Sequence, residues 1–369
     1  MEKQTPGQAR DAMRQDPPLR AGDGRLTLTV GVLLAAAAIV GLVAVLRVDN
    51  WGDRGSGLSE RFEFTLAGVA EVDPDLVVYA ETARIAVPLG SVRAIATDDA
   101  GLFFIAGDRA IQGFQPDGTP AMRIDVPGEP ASIAVAGDGD SYPGRIYAGI
   151  GARVQVYAAD GEAIDTWSEG LDEDSLLTSL AVFEDSVLAA DAGNRVVVRW
   201  DADGRLITVI GRPDPDRNVQ GFILPGGDFA VAVHRDAIVR VTNPGARRIE
   251  AYTLDGEFLA HWGHASPAID GFFGCCNPSH LAMLADGRFV TAEKGIPRVK
   301  VYSPEGEFES VVATPRQLSP RLVSGRAVRD QQTQAVRGVV ADTAGRVLVL
   351  DAHQRSVRIF ERKGALDDE

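Results

Sequence analysis

Four runs in this chain alternate apolar and polar side chains as a half-buried β-strand does: RVQVY from Arg153, RIEAY from Arg248, RVKVY from Arg298 and SVRIF from Ser356. Each ends in an aromatic residue, and a glycine follows four positions later. The same spacing recurs six times, at Phe114 and Gly118, Tyr157 and Gly161, Trp200 and Gly204, Tyr252 and Gly256, Tyr302 and Gly306, and Phe360 and Gly364. The residue before the glycine is Asp117, Asp160, Asp203, Asp255, Glu305 or Lys363. The pattern therefore predicts strands that end in an aromatic and enter an Asp-Gly type hairpin turn. Successive aromatics stand from 43 (Phe114 to Tyr157) to 58 (Tyr302 to Phe360) residues apart, the range of one four-stranded propeller blade with its connecting loop. Nine residues before the aromatic, the later units carry Asp191, Asn243, Glu293 and Asp351, suited to bonding the backbone where a loop begins.

Runs such as AADAGNRVVVRWDADGRL and VTAEKGIPRVKVYSPEGEF resemble the NHL repeat, a family whose units build six-bladed β-propellers of the TolB-like kind. The resemblance covers residues 62–364 and implies an all-β, six-bladed propeller with four-stranded antiparallel blades. It says little about function, because propellers host binding, scaffolding and unrelated chemistries. The sixth unit has strands near Val339, Val347 and Val357 but too little chain after Phe360 for a fourth. The unassigned strand-like segment DLVVYAETARIAVPLG, residues 75–90, is expected to pair with that blade and close the ring.

Residues 26–46, from Leu26 to Leu46, hold no charge across 21 positions, enough to cross a hydrocarbon layer about 30 Å thick. No small-residue cleavage site follows, so the segment reads as an uncleaved signal anchor through which the chain meets the membrane. Lys3, Arg10, Arg14, Arg20 and Arg25 precede it and fewer arginines follow, which keeps residues 1–25 cytoplasmic and the propeller periplasmic or extracellular. Residues 47–61 form a glycine-containing flexible linker, and residues 365–369 a short tail. The net charge of -15 argues against nonspecific nucleic-acid binding and suits a soluble domain.

The resemblance implies that the turns between second and third strands, and the links between blades, share the face that takes ligands. The extended links here are residues 211–227, 263–278 and 313–334, all from blades three to five, and long loops in a compact domain are usually functional or disordered. Within the second lie the only two cysteines, the adjacent Cys275 and Cys276, in FFGCCNPSHLAML. Adjacent Cα atoms ~3.8 Å apart make a vicinal bridge strained and easily reduced. Around them the topology gathers Asn277, His280, Glu293, Lys294 and Arg298, with His353 from blade six, as a binding set at the channel mouth. His264, His280 and the two thiols are the metal-ligand candidates, yet adjacent cysteines lack Cys-x-x-Cys spacing, and no cofactor is expected. Against each stands a plainer reading: His280 bonds the loop backbone, Lys294 is a solvated turn residue, and Arg298 pairs with Glu293. Arg316, Arg321, Arg326 and Arg329 form the one basic stretch, either a grip for a partner or a solvated loop.

Three functions compete. A membrane-tethered module that binds a protein partner on the face of blades three to five asks least of the sequence. Some relatives implied by the resemblance are metal-dependent lyases or lactonases, and in the amidating lyases the ligand histidine directly follows a proline. Here the order is Pro278, Ser279, His280, so that motif does not carry over. The third reading is a redox or thiophilic-metal response at Cys275 and Cys276.

Overall fold

The computed structural model describes residues 28–29, 32–39, 68, 70–217, 219–320 and 335–365. Among the described residues, twenty-four strands form six four-stranded antiparallel sheets within the compact unit Thr65–Glu369. The first strand, β1 (Tyr79–Ala86), precedes blade one, which holds β2 (Ala94–Thr97), β3 (Phe103–Gly107), β4 (Ala110–Phe114) and β5 (Pro120–Asp125). Blade two holds β6 (Pro130–Val135), β7 (Ile146–Ile150), β8 (Val154–Tyr157) and β9 (Ala163–Trp167). Blade three holds β10 (Leu177–Phe183), β11 (Ser186–Asp191), β12 (Val196–Asp201) and β13 (Leu206–Ile210). Blade four holds β14 (Val231–Val233), β15 (Val239–Asn243), β16 (Arg248–Tyr252) and β17 (Phe258–Trp262). Blade five holds β18 (His280–Met283), β19 (Phe289–Ala292), β20 (Val299–Tyr302) and β21 (Phe308–Ala313). Blade six holds β22 (Val336–Ala341), β23 (Val347–Asp351) and β24 (Ser356–Arg362). The first strands of all six blades contact one another in sequence around a ring, so the molecule is a six-bladed β-propeller.

Ring closure follows the sequence expectation. Strand β1 pairs antiparallel with β24, from Tyr79 opposite Arg362 to Ala86 opposite Ser356, giving blade six its outermost strand. Without β1, β24 would present an open row of backbone donors and acceptors.

The aromatic at the end of each third strand, Phe114, Tyr157, Trp200, Tyr252, Tyr302 or Phe360, is at most 2% exposed. Full burial of such a side chain is worth on the order of 3 kcal/mol. In five blades the glycine turn closes in the same way. In blade three Gly204 donates to the Asp201 carbonyl and Asp201 to the Arg205 carbonyl, a type I turn ending in a left-handed residue. The glycine answers two demands at once. Gly204 has φ 85°, and a Cβ there would lie 2.3 Å from Trp167 Nε1 of blade two, while one on Gly306, at φ 90°, would lie 2.4 Å from Trp262 Cγ of blade four. Each turn thus seats its glycine on the outermost strand of the preceding blade. Gly364 departs from the expected hairpin and lies in a 3-10 turn, Lys363–Ala365, because β1 and not a following strand completes that blade.

The alternating strands are also buried on both faces, not one. Gln112, Gln155, Glu250, Lys300 and Arg358, each two residues before the repeat aromatic, are all under 9% exposed. Blades stack face to face, so the nominally polar face of the third strand meets another blade or a folded-over loop. Its polar groups then find protein partners: Gln112 donates to the Met122 carbonyl at 2.8 Å and Gln155 to that of Asp165 at 2.6 Å.

Of the expected membrane span, only residues 28–29 and 32–39 are described, and they are helical. Among the described residues no helix is long and apolar enough to cross a membrane. The linker 47–61, the tail 366–369 and Arg321, Arg326 and Arg329 lie outside the described residues.

Candidate functional site

Antiparallel pairing sends the turn between second and third strands, and every link to the next blade, to one face, called upper here. On it the links 211–230 and 263–279, which follow blades three and four, are built structure, and of the third long link residues 313–320 are described. Asn243, at the end of β15, accepts from the Ile223 amide at 3.0 Å and donates to Glu250 at 2.8 Å, which pins the link 211–230. In blade five Glu293 accepts from the Phe273 amide at 3.2 Å, Arg298 at 2.7 Å and Lys300 at 2.7 Å. Lys300 in turn donates to the carbonyls of Ile269 and Gly271, and Tyr302 to that of Asp270. The link 263–279 is therefore folded down over a buried carboxylate held between two cations. Burial pushes the Lys300 ammonium down to about 8, with Glu293 opposing the shift. Asp191 does the same work in blade three, accepting from the Leu176 and Gly193 amides.

This placement divides the expected residue set. Glu293 and Arg298 are 1% exposed and bound to each other beneath the link, as the plainer reading of that pair holds. Asn277 is buried too, donating to the Phe273 and Lys294 carbonyls and accepting from the Lys294 amide. His353 is exposed in the turn between β23 and β24. His264 lies on the exposed outer part of its link, 3.7 Å from Asp270. Arg316 is exposed on the one-turn helix α1 (Pro315–Leu318), whose start is closed by a capping box between Thr314 and Gln317.

What the fold brings together at the channel mouth is Cys276, His280 and Lys294, joined by Asp228 and Arg337. Lys294 is ion-paired with Asp228, and Gly226 is backed so closely that a Cβ there would meet Lys294 Nζ at 2.4 Å and Cys276 Sγ at 3.3 Å. The cysteines are free thiols with Sγ atoms 2.9 Å apart. Burial, then the Cys275 thiol, pushes the Cys276 thiol up to about 11, although Lys294 opposes this. His280 opens β18 and lines the central channel of about 280 Å³ with Arg337 and small apolar side chains. Burial lowers its pKa, partly offset by Asp228, so it favours the neutral imidazole. Among the described residues no group of three or more His, Cys, Asp and Glu side chains lies close enough to hold a metal ion. The arrangement offers hydrogen bonds and charge, and no described nucleophile paired with an orienting base.

Sequence reading missed Asp228 and Arg337. Both stand where a first strand begins, as His280 does, which is the signal that marks them. It also missed a second feature of this face, a cleft of about 550 Å³ above blade three lined by Asp172, Arg195, Arg212, Gln220, Phe222 and Ile223.

The chain is similar in fold to the crystal structure of the WD40 beta propeller domain of Doa1, with a TM-score of 0.51 over 78% of this chain and 98% of that one. The two share 14% sequence identity, so the likeness concerns the fold alone. No family model matches the chain, and no curated protein matches it.

Proposed function

We propose that this propeller is an NHL-type, membrane-tethered module outside the cytoplasm, which docks a protein partner on the upper face of blades three to five. The observation that carries the docking reading is the anchoring of the long links. A loop without a role needs no buried carboxylate beneath it, whereas Asn243 and Glu293 hold the links 211–230 and 263–279 in fixed shapes. They present Ile223 at 57% exposure beside a cleft of about 550 Å³. The tether rests on the uncharged stretch 26–46 and on Leu33 and Leu34, helical and about two-thirds exposed (65% and 67%), an apolar surface suited to lipid. Propellers commonly serve as interaction scaffolds, and the described site holds no complete catalytic set.

Two measurements test this in cells. A photo-crosslinking side chain at Ile223 should give a discrete partner adduct, and one at Ile164, on the outer strand of blade two, should not. No adduct at Ile223 counts against docking there. Exposed Cys275 should react with a membrane-impermeant maleimide in intact cells; labelling only after lysis would reverse the orientation.

A further inference from the structure

The cleft above blade three is bounded by three segments: the link 168–176, the turn between β11 and β12, and the link 211–230. Arg195 and Arg212 both line it, and among the described residues neither guanidinium has a hydrogen bond or ion pair. That is unexpected in a chain with 52 acidic and 37 basic residues. Neighbouring arginines are engaged: Arg248 with Glu250, and Arg217 with the Asp255 carbonyl. The one carboxylate in the cleft is already occupied. Asp172 accepts from Asn194 Nδ2 at 2.8 Å and from the Asp174 amide at 3.0 Å, and the Asn194 bond holds its pKa below the usual range. Apolar surface adjoins the cations, with Phe222 as buried floor and Ile223 as exposed edge.

We propose that this cleft receives an acidic peptide segment of the partner, its carboxylates on Arg195 and Arg212 and an intervening apolar side chain against Ile223. The inference rests on the docking reading and adds the chemistry of the ligand. Guanidinium forks match carboxylates in geometry as well as charge, and the cleft holds two with no protein acid to displace. The net charge of -15 repels anions in general, so a ligand must engage both arginines to be held.

The test uses the full chain in a mild non-ionic detergent and fluorescence polarisation of a labelled peptide, Glu-Glu-Leu-Glu-Asp-Leu-Glu-Glu. Its glutamine and asparagine counterpart is the neutral probe. The acidic peptide should bind at least tenfold more tightly than the neutral one. R195Q/R212Q should weaken it at least tenfold, and R205Q, in the turn on the opposite face, should leave it within twofold. Equal binding of the two peptides, no binding of either, or full affinity in R195Q/R212Q overturns the proposal. So does binding of phosphatidylserine vesicles, or of inorganic phosphate, through these arginines without the peptide. If the peptide fails while the Ile223 adduct forms, the acidic ligand is wrong and docking stands; loss of the adduct alone removes docking.

Discussion

Replacing Glu293 with glutamine removes the buried carboxylate that two enclosed cations share. The side chains of Arg298, Lys300 and Glu293 are at most 1% exposed, and both cation contacts are 2.7 Å long. Breaking a buried pair costs roughly 3–5 kcal/mol, because the remaining cations lose their counter-charge without gaining water. One relief is available. Lys300, already pushed down to about 8, falls further without Glu293 and sheds its proton near neutrality, at about 1.4 kcal/mol per pH unit. A net loss of roughly 3 kcal/mol follows, which at about 2 °C per kcal/mol for a large domain lowers the melting temperature by about 6 °C. The pH dependence has a definite sign. Folded Lys300 has a lowered pKa, so between about pH 8 and 10.5 the unfolded chain binds more protons and stability rises with pH. In Glu293→Gln that rise begins at lower pH, so the deficit against the parent is smaller at pH 9.5 than at pH 6. Calorimetric melts of the full chain at the two pH values read this directly. The triple change Glu293→Leu, Arg298→Met, Lys300→Met should recover most of the loss, since apolar side chains of similar volume leave no charge to desolvate. A Glu293→Gln melt within 2 °C of the parent at neutral pH, or a triple variant no better than the single one, would refute the account.

Two further outcomes check other parts of the structure. Gly306→Ala should cost well over the ~1–2 kcal/mol of left-handed strain that Gly345→Ala pays in open space, because only the former drives a Cβ into Trp262; equal losses in urea unfolding would remove the blade-joint argument. At pH 8 iodoacetamide should modify Cys275 well before Cys276, whose thiol at about 11 is only about a thousandth ionised; peptide mapping that finds equal rates contradicts the burial of Cys276.

The blade count and the ring closure were legible because both are written in short-range spacing: an aromatic, a turn and a glycine repeated along the chain, then one strand too few at Phe360. The site was legible only in part. His280 and Lys294 could be assigned to the channel mouth because each lies at a fixed offset from a repeat, and the structure sets both near Asp228. Asp228 and Arg337 reach it from blades four and six; their place at the start of a first strand marks them as channel-facing but does not say which residues of blade five they meet. Glu293 and Arg298 look like surface charges in sequence. What buries them is the link 263–279 folding back, and that depends on Lys300 reaching the Ile269 and Gly271 carbonyls from a strand position that alternation alone marks as solvent-facing. The cleft over blade three was invisible for the same reason, since Arg195 and Arg212 belong to different loops.

The β1–β24 pairing has a temporal side. Arg358 of β24 bonds to Glu81 of β1, 277 positions earlier, so the contact that completes the last sheet is among the most sequence-distant in the protein. During synthesis the first strand emerges early and has no partner until nearly the whole propeller has followed it. Closing so long a loop is entropically slow, and until then β1 is a free edge able to pair with a neighbouring chain. If residues 26–46 hold nascent chains at a membrane, that interval is spent on a crowded surface. The charges spread along β1, Glu81 and Arg84, then serve the unfinished protein as much as the finished one, by making a waiting strand a poor template for its neighbours.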